Sequence, residues 1–161
     1  QRPDEPADRQ RDERIDCVIP LSPQGIGMIG QHEGSWDDIR VPVFFMTGTR
    51  DTGIGAEEWR TRLDGFRLSK GPDHYLLVLA DGAHSAFTDA TWRREPEQRP
   101  QHHGYIKTLS LAFLDAHLSG DDSARRWLAS DAPLDLLEDG SEFRTKNLTP
   151  PPRPGDAPSP E

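Results

Sequence analysis

The stretch HYLLVLADGAH, from His74 to His84, decides the fold. Its apolar run is continuous as far as Leu79, and the small and polar residues of a turn follow. Continuous hydrophobicity, without polar residues at alternate positions, is typical of a strand that helices cover on both faces of a parallel sheet. Two similar runs, IDCVIPL and VPVFFM, begin at Ile15 and Val41. We therefore expect three mutually parallel strands, at Ile15 to Leu21, Val41 to Gly48 and His74 to Ala80.

Helical spacing of apolar residues is found between and after the last two runs. Trp59, Leu63 and Phe66 recur at this spacing within residues 56–66, which predicts a crossover helix. A longer amphipathic pattern ends before Gly120, the residue type that most often follows a helix. The later helices predicted are His103 to Ser119, a short helix that Asp121 or Asp122 caps and that ends at Leu128, and one turn at Leu134 to Leu137. The fold class is thus α/β, with a parallel sheet, a crossover helix and C-terminal helices.

The two ends of the 161-residue chain differ in composition from its middle. Nine of the first fourteen residues are charged and none is a large apolar residue, so residues 1–14 are predicted to form a flexible arm. Six prolines lie within the last twelve residues, and residues 138–161 are predicted to be a disordered, proline-rich tail. Residues 15–137 must then hold the fold.

Charge and composition exclude several classes of function. The chain has 28 acidic against 19 basic residues, a net charge of −9, whereas a nucleic-acid-binding protein needs a basic face. No segment approaches the roughly 18 consecutive apolar residues of a membrane span. Cys17 is the only cysteine, which excludes an internal disulfide and a cysteine-cluster zinc site. The neighbouring pairs His32-Glu33 and His102-His103 lack the spacing of metal ligands, so no metal is expected.

Two polar residues stand where a site is expected in such a sheet, just after the carboxyl ends of strands. Asp51 follows the second strand in the sequence GTRD, and His84 follows the third in GAH. Adjacent parallel strands bring these two loops together. A carboxylate that accepts a hydrogen bond from one imidazole nitrogen fixes the tautomer and leaves the other nitrogen as a general base. Asp51 and His84 would then be two of the three members of a catalytic triad.

These residues resemble the C-terminal part of the α/β-hydrolase family. The resemblance rests on Gly48-x-x-Asp51, on Gly82-x-His84 and on the final amphipathic helix, and it spans about residues 15–128. The most similar branch holds the dienelactone-hydrolase-like, platelet-activating-factor-acetylhydrolase-like and polyester-hydrolase-like enzymes. The resemblance implies a carboxylic ester hydrolase that acts on a small-molecule ester without a cofactor or a metal, with Asp51 as the acid and His84 as the base. Asp81, which lies on the same loop as His84, is the second choice for the acid.

The sequence departs from the family at the nucleophile. The family carries its serine in a G-x-S-x-G turn upstream of the acid and the histidine, and no serine of this chain has glycine at both flanking second positions. We therefore expect the serine and the oxyanion donors to lie in an N-terminal half of the same hydrolase domain, which this chain needs as its partner. The isolated chain is expected to be inactive.

Two other interpretations remain open. Gly25, Gly27 and Gly30 match G-x-G-x-x-G, with Asp51 about 20 residues on, which is the pattern of a dinucleotide-binding turn. In a dinucleotide-binding turn this pattern opens a helix, but the residues that follow it include too few apolar residues to form a buried helix face. The second interpretation is a non-catalytic α/β fold remnant or interaction module, in which Asp51 is only a turn-former and His84 a loop histidine.

Overall fold

A three-stranded sheet in the order β1-β2-β3 forms the centre of this computed structural model, which describes residues 12–28, 30–52, 58–88 and 99–150. Strands β1 (Val43–Arg50) and β2 (His74–Ala83) are parallel, with Val43 opposite His74 and Gly48 opposite Leu79. The first six residues of each strand are buried, as their continuous hydrophobicity predicts. The α/β class and the parallel pairing of these two strands are confirmed.

The first apolar run lies beside β1, but it is not a regular strand. It makes two isolated parallel bridges, Val18 with Val43 and Leu21 with Met46. The amide of Val18 donates to Pro42 and that of Ser22 donates to Met46, so the regular ladder requires a bond from residue 20 in between. Residue 20 is a proline, which has no N–H to donate. The predicted strand is therefore reduced to two bridges on either side of this missing bond.

The third strand of the sheet is one that the sequence analysis placed in the disordered tail. Strand β3 (Glu142–Lys146) pairs antiparallel with β2, with Lys146 opposite His74 and Phe143 opposite Leu77. Phe143 is buried against Phe44 and Tyr75, which anchors the strand. The folded part of the chain thus continues past residue 137, and the prediction of a tail from residue 138 is wrong as far as β3. Residues 1–11 of the predicted arm and 151–161 of the predicted tail lie outside the described residues.

The helices follow the predicted order with different bounds. A 3₁₀ turn (Trp59–Leu63) leads into α1 (Asp64–Leu68), where a single crossover helix was expected, and residues 53–57 lie outside the described part of the chain. The others are α2 (Pro100–His117), α3 (Asp122–Leu128) and α4 (Ala132–Leu136). Asp121 caps α3 by accepting from the amides of Ser123 and Ala124. Among the described residues, no helix has both the length and the hydrophobicity needed to cross a membrane.

Helices cover both faces of the sheet, and this explains why its strands are apolar at successive positions. On one face Phe44, Tyr75 and Leu77 pack among residues of α2 and α3, including Leu109 and Phe113. The opposite face packs against the crossover segment and consists of Val43, Phe45, Leu76 and Val78 with Leu63 and Phe66. Each fully buried side chain of this size contributes about 1.5–3 kcal/mol. The sheet is consequently packed on both faces, and this packing holds its carboxyl edge in place.

A histidine lies inside this core. His74, the first residue of β2, has no exposed surface, and neither of its ring nitrogens has a hydrogen-bond partner among the described residues. Burial, assisted by the nearby Lys146 ammonium and opposed by Asp73, lowers the pKa of His74 to about 4. His74 is therefore neutral in the folded chain at pH values where an exposed histidine already binds a proton.

We predict that His74 makes the chain less stable in mild acid. Between pH 6.5 and pH 4 the unfolded state binds a proton that the folded state does not, so the free energy of unfolding falls as the pH falls through this range. Each unit of pKa difference corresponds to about 1.4 kcal/mol, and the loss should amount to roughly 3 kcal/mol. Denaturant unfolding at several pH values should show this slope, and His74→Leu should flatten it. Equal slopes in the two proteins would contradict the prediction.

Candidate active site

The carboxyl ends of β1 and β2 lie unusually close together, and two glycines make this possible. A Cβ at Gly48 would lie 2.2 Å from the carbonyl oxygen of Gly82, so no other residue type fits there without a backbone shift. The register of the two strands shifts between Gly48 and Arg50, just before the turn that carries Asp51. The close approach therefore places the loop after β1 against the loop after β2.

Asp51 and His84 meet at this edge, where the sequence placed them. His84 opens the 3₁₀ turn His84–Phe87, and its Nδ1 lies 3.0 Å from Oδ1 of Asp51. The Asp51 side chain has no exposed surface, whereas 53% of the His84 side chain is exposed. A neutral ring with its proton on Nδ1 donates to the carboxylate, and Nε2 is then free to accept a proton. The pair combines a buried, fixed acid with an accessible base.

Three further side chains surround the Asp51 carboxylate. Ser22 Oγ donates to Oδ1 at 3.0 Å and Thr47 Oγ1 donates to Oδ2 at 2.9 Å. The Nε of Arg62 lies 3.1 Å from Oδ1. A buried carboxylate is costly unless its oxygens are hydrogen-bonded, and both oxygens of Asp51 have partners here. These contacts fix the plane of the carboxylate and hence the position of Oδ1, to which His84 binds.

Ser22 also lies at this site, although it lacks the flanking glycines of the nucleophile motif. It is a buried residue with a φ of +52°, and its Oγ lies 2.8 Å from Nδ1 of His84. It therefore contacts the ring nitrogen that Asp51 also binds, whereas a nucleophile must contact Nε2. The sequence did hold a signal for Ser22, since it directly follows the first apolar run, as Asp51 and His84 follow theirs.

Arg62 is the second residue that the sequence analysis missed. Its side chain is only 3% exposed. It donates from Nε to the carbonyl of Asp51 at 2.8 Å, and from one Nη to the carbonyls of Ser22 at 3.0 Å and Pro23 at 3.2 Å. The guanidinium thus joins the loop after the first apolar run to the loop after β1. A charged residue within a helical pattern is usually a solvent-exposed one, so nothing in the sequence indicated this role.

Asp81, the second choice for the acid, pairs with an arginine. Its side chain is exposed, and Oδ2 pairs with an Nη of Arg99 at 2.8 Å. Arg99 also binds Glu138, which in turn accepts a hydrogen bond from His102. This network connects the start of α2 to the segment before β3. The structure therefore assigns Asp81 to surface ion pairing and leaves Asp51 as the carboxylate beside His84.

The glycine motif does not open a helix. Gly27 and Gly30 both have positive φ, of +86° and +78°, and form turns. Within residues 30–42 the only helical element is a 3₁₀ turn, Glu33–Trp36. A dinucleotide site requires an α-helix whose N-terminus faces the pyrophosphate. This geometry contradicts the dinucleotide-binding interpretation.

Metal ligation finds no support in the described ranges, where no three His, Cys, Asp or Glu side chains are grouped to hold a metal ion. His32 instead caps a 3₁₀ turn by accepting from the amide of Gly34. His102 is buried, with Nε2 2.9 Å from Glu138. Each of the two pairs considered as metal ligands, His32-Glu33 and His102-His103, thus includes a histidine that makes a structural contact.

Comparison with known proteins does not identify a family for this chain. No protein-family model matches the chain, and no curated protein matches its sequence. Its function must therefore be inferred from the geometry of its own residues.

We predict that Gly48→Ala destabilises the chain and separates Asp51 from His84. The added methyl group would overlap the carbonyl of Gly82, and forcing an extra carbon into a packed position costs about 1–3 kcal/mol. The matched control is Gly104→Ala in α2, where a Cβ meets no atom within 4 Å and should add about 0.5–1 kcal/mol of stability. Denaturant unfolding measures both. A Gly48→Ala variant as stable as the original chain would contradict this account of the sheet edge.

Proposed function

We propose that this chain supplies the acid and the base of a Ser-Asp-His triad that hydrolyses carboxylic esters of small molecules. It would form the C-terminal half of an α/β-hydrolase domain, and the nucleophilic serine would lie in an N-terminal half outside these 161 residues. The observation that carries the proposal is the Asp51–His84 pair, with its 3.0 Å contact through Nδ1 and a half-exposed ring.

In this proposal His84 acts in turn as base and acid, and Asp51 supports it. His84 Nε2 takes the proton of the serine hydroxyl as its oxygen attacks the ester carbonyl carbon, and Asp51 stabilises the imidazolium that forms. His84 then gives this proton to the departing alkoxide, which leaves an acyl-enzyme. In the second half of the reaction His84 takes a proton from water, whose oxygen attacks the acyl carbon. The bond from the acyl carbon to the serine oxygen then breaks, the serine oxygen receives the proton from His84, and the carboxylic acid leaves. Neither a metal nor a cofactor is needed for these steps.

The open edge of the first apolar run supports the proposal that a further strand pairs with it. Ile15, Val18 and Leu21 are 49%, 38% and 45% exposed. The backbone groups of Cys17, Ile19 and Leu21 make no backbone hydrogen bond with the described residues, because the bonds to β1 come from the alternate positions. An exposed edge of this kind is a template for another strand. A parallel strand added here would end at the same edge of the sheet as Asp51 and His84.

The same edge favours a second candidate function. A strand from a different protein could pair with it as well, and the chain would then be a non-catalytic interaction module. Such a module would not need an accessible imidazole beside a buried carboxylate with four polar partners around it. The geometry at Asp51 therefore favours the hydrolase.

The test uses the protein in which these residues follow the proposed serine-bearing half. A fluorophosphonate should label a serine outside the 161 residues, and His84→Ala should abolish this labelling because serine is a weak nucleophile without a base. Asp51→Asn should lower ester hydrolysis by on the order of 10⁴-fold, since it disturbs the tautomer of the base. Asp81→Asn is the control and should retain near-normal activity.

Two results would contradict the proposal. Labelling of Ser22 in the 161-residue chain alone, found by mass spectrometry of the labelled peptide, would replace the external serine with an internal one. A serine whose labelling is unchanged by His84→Ala would remove His84 from the reaction.

A further inference from the structure

Ser22 contacts both the acid and the base of the proposed site. Its Oγ lies 3.0 Å from Asp51 Oδ1 and 2.8 Å from His84 Nδ1, while these two atoms are themselves 3.0 Å apart. Three polar atoms from three different segments thus form a closed triangle. The contact between Ser22 and Asp51 is buried, so water competes little with it.

Only one arrangement of protons gives each of the three contacts both a donor and an acceptor. When Nδ1 carries the proton, the imidazole donates toward Asp51 Oδ1 and Ser22 Oγ, and the Ser22 hydroxyl donates to Asp51. When Nδ1 carries none, its lone pair faces the carboxylate oxygen at 3.0 Å, and the two acceptors repel each other. The Ser22 oxygen therefore adds a second acceptor on the Nδ1 side. It favours the tautomer in which Nε2 is unprotonated and able to act as a base.

Arg62 holds Ser22 in this position. The Ser22 backbone is in the left-handed region, which a residue with a side chain seldom adopts without support. Arg62 binds the carbonyl of Ser22 and that of Asp51 with the same buried guanidinium. Because the guanidinium is planar and its donors are fixed in direction, it sets the distance between the two loops.

We propose that Ser22 is a positioning residue for His84 and that Arg62 acts through Ser22 and Asp51 to hold the same geometry. This inference rests on the proposed function, since it assigns a role within that site. Ser22 is not the nucleophile in it. Its oxygen keeps the His84 ring oriented and keeps the proton on Nδ1.

The experiment measures the tautomer of His84 in the 161-residue chain by long-range ¹H–¹⁵N correlation NMR, which distinguishes a protonated from an unprotonated ring nitrogen. The original chain should show the Nδ1–H form. Ser22→Ala should lower the ratio of the Nδ1–H to the Nε2–H form roughly fivefold, the effect expected for one lost hydrogen bond. Arg62→Met should lower it at least as much, and Arg62→Lys, which keeps the charge but not the fork of donors, should restore it in part.

Each variant has a matched control. Arg60→Met alters an exposed arginine on the same 3₁₀ turn, one that pairs with Glu58 instead of the site. Ser119→Ala removes a hydroxyl from an exposed residue at the end of α2. Neither should change the tautomer. Amide spectra recorded in parallel report whether each variant is folded, and Ser22→Ala carries the test if Arg62→Met does not fold.

Asp51→Asn separates the failure of this inference from the failure of the proposed function. If Asp51→Asn shifts the tautomer and Ser22→Ala does not, Ser22 is not a positioning residue, and the Asp51–His84 pair stands. If the original chain lacks the Nδ1–H form, or if Asp51→Asn leaves it unchanged, both proposals are overturned. A shift with Arg60→Met equal to that with Arg62→Met would overturn the role of Arg62.

Discussion

Asp51 is a carboxylate without exposed surface, and the arrangement of the sheet's carboxyl edge follows from this fact. Its two oxygens accept from Ser22 and Thr47 and lie next to His84 and Arg62. These partners come from four separate parts of the chain. Removing one partner of a buried charge pair costs about 3–5 kcal/mol, because the charge left behind is uncompensated. The loops at this edge are consequently coupled to one another through a single side chain, so site geometry and fold stability depend on the same contacts.

The two nitrogens of His84 have different surroundings, and this difference organises the site. Nδ1 is surrounded by Asp51 and Ser22, whose side chains belong to the rigid sheet edge. The His84 side chain as a whole is half-exposed, so the ring is open to another group. Ser22 contacts Nδ1, the nitrogen that Asp51 also contacts, whereas the nucleophile of a triad contacts Nε2. The distinction depends on which ring nitrogen is contacted, and sequence motifs do not contain that information.

The parts of the fold that could be predicted from the sequence are those in which local pattern and tertiary environment agree. Strands β1 and β2 are buried on both faces, and their continuous hydrophobicity follows from that burial. Strand β3 has one buried apolar residue, Phe143, so its pattern is too weak to separate from the tail that follows. Pro20 interrupts the ladder of the first run, and the effect of one missing N–H is visible only when its partner strand is known.

The candidate site also has residues that the sequence predicts and residues that it does not. Asp51 and His84 were predictable because parallel strands place their carboxyl ends at one edge, whatever the details of packing. Arg62 was not, because its burial depends on three carbonyls that converge from two distant loops. Ser22 lies between these cases, since it follows a strand-like run but departs from the nucleophile motif. Ser22 follows the first apolar run directly. It could therefore have been predicted from the sequence if residues after strands were considered for orienting a neighbour as well as for reacting.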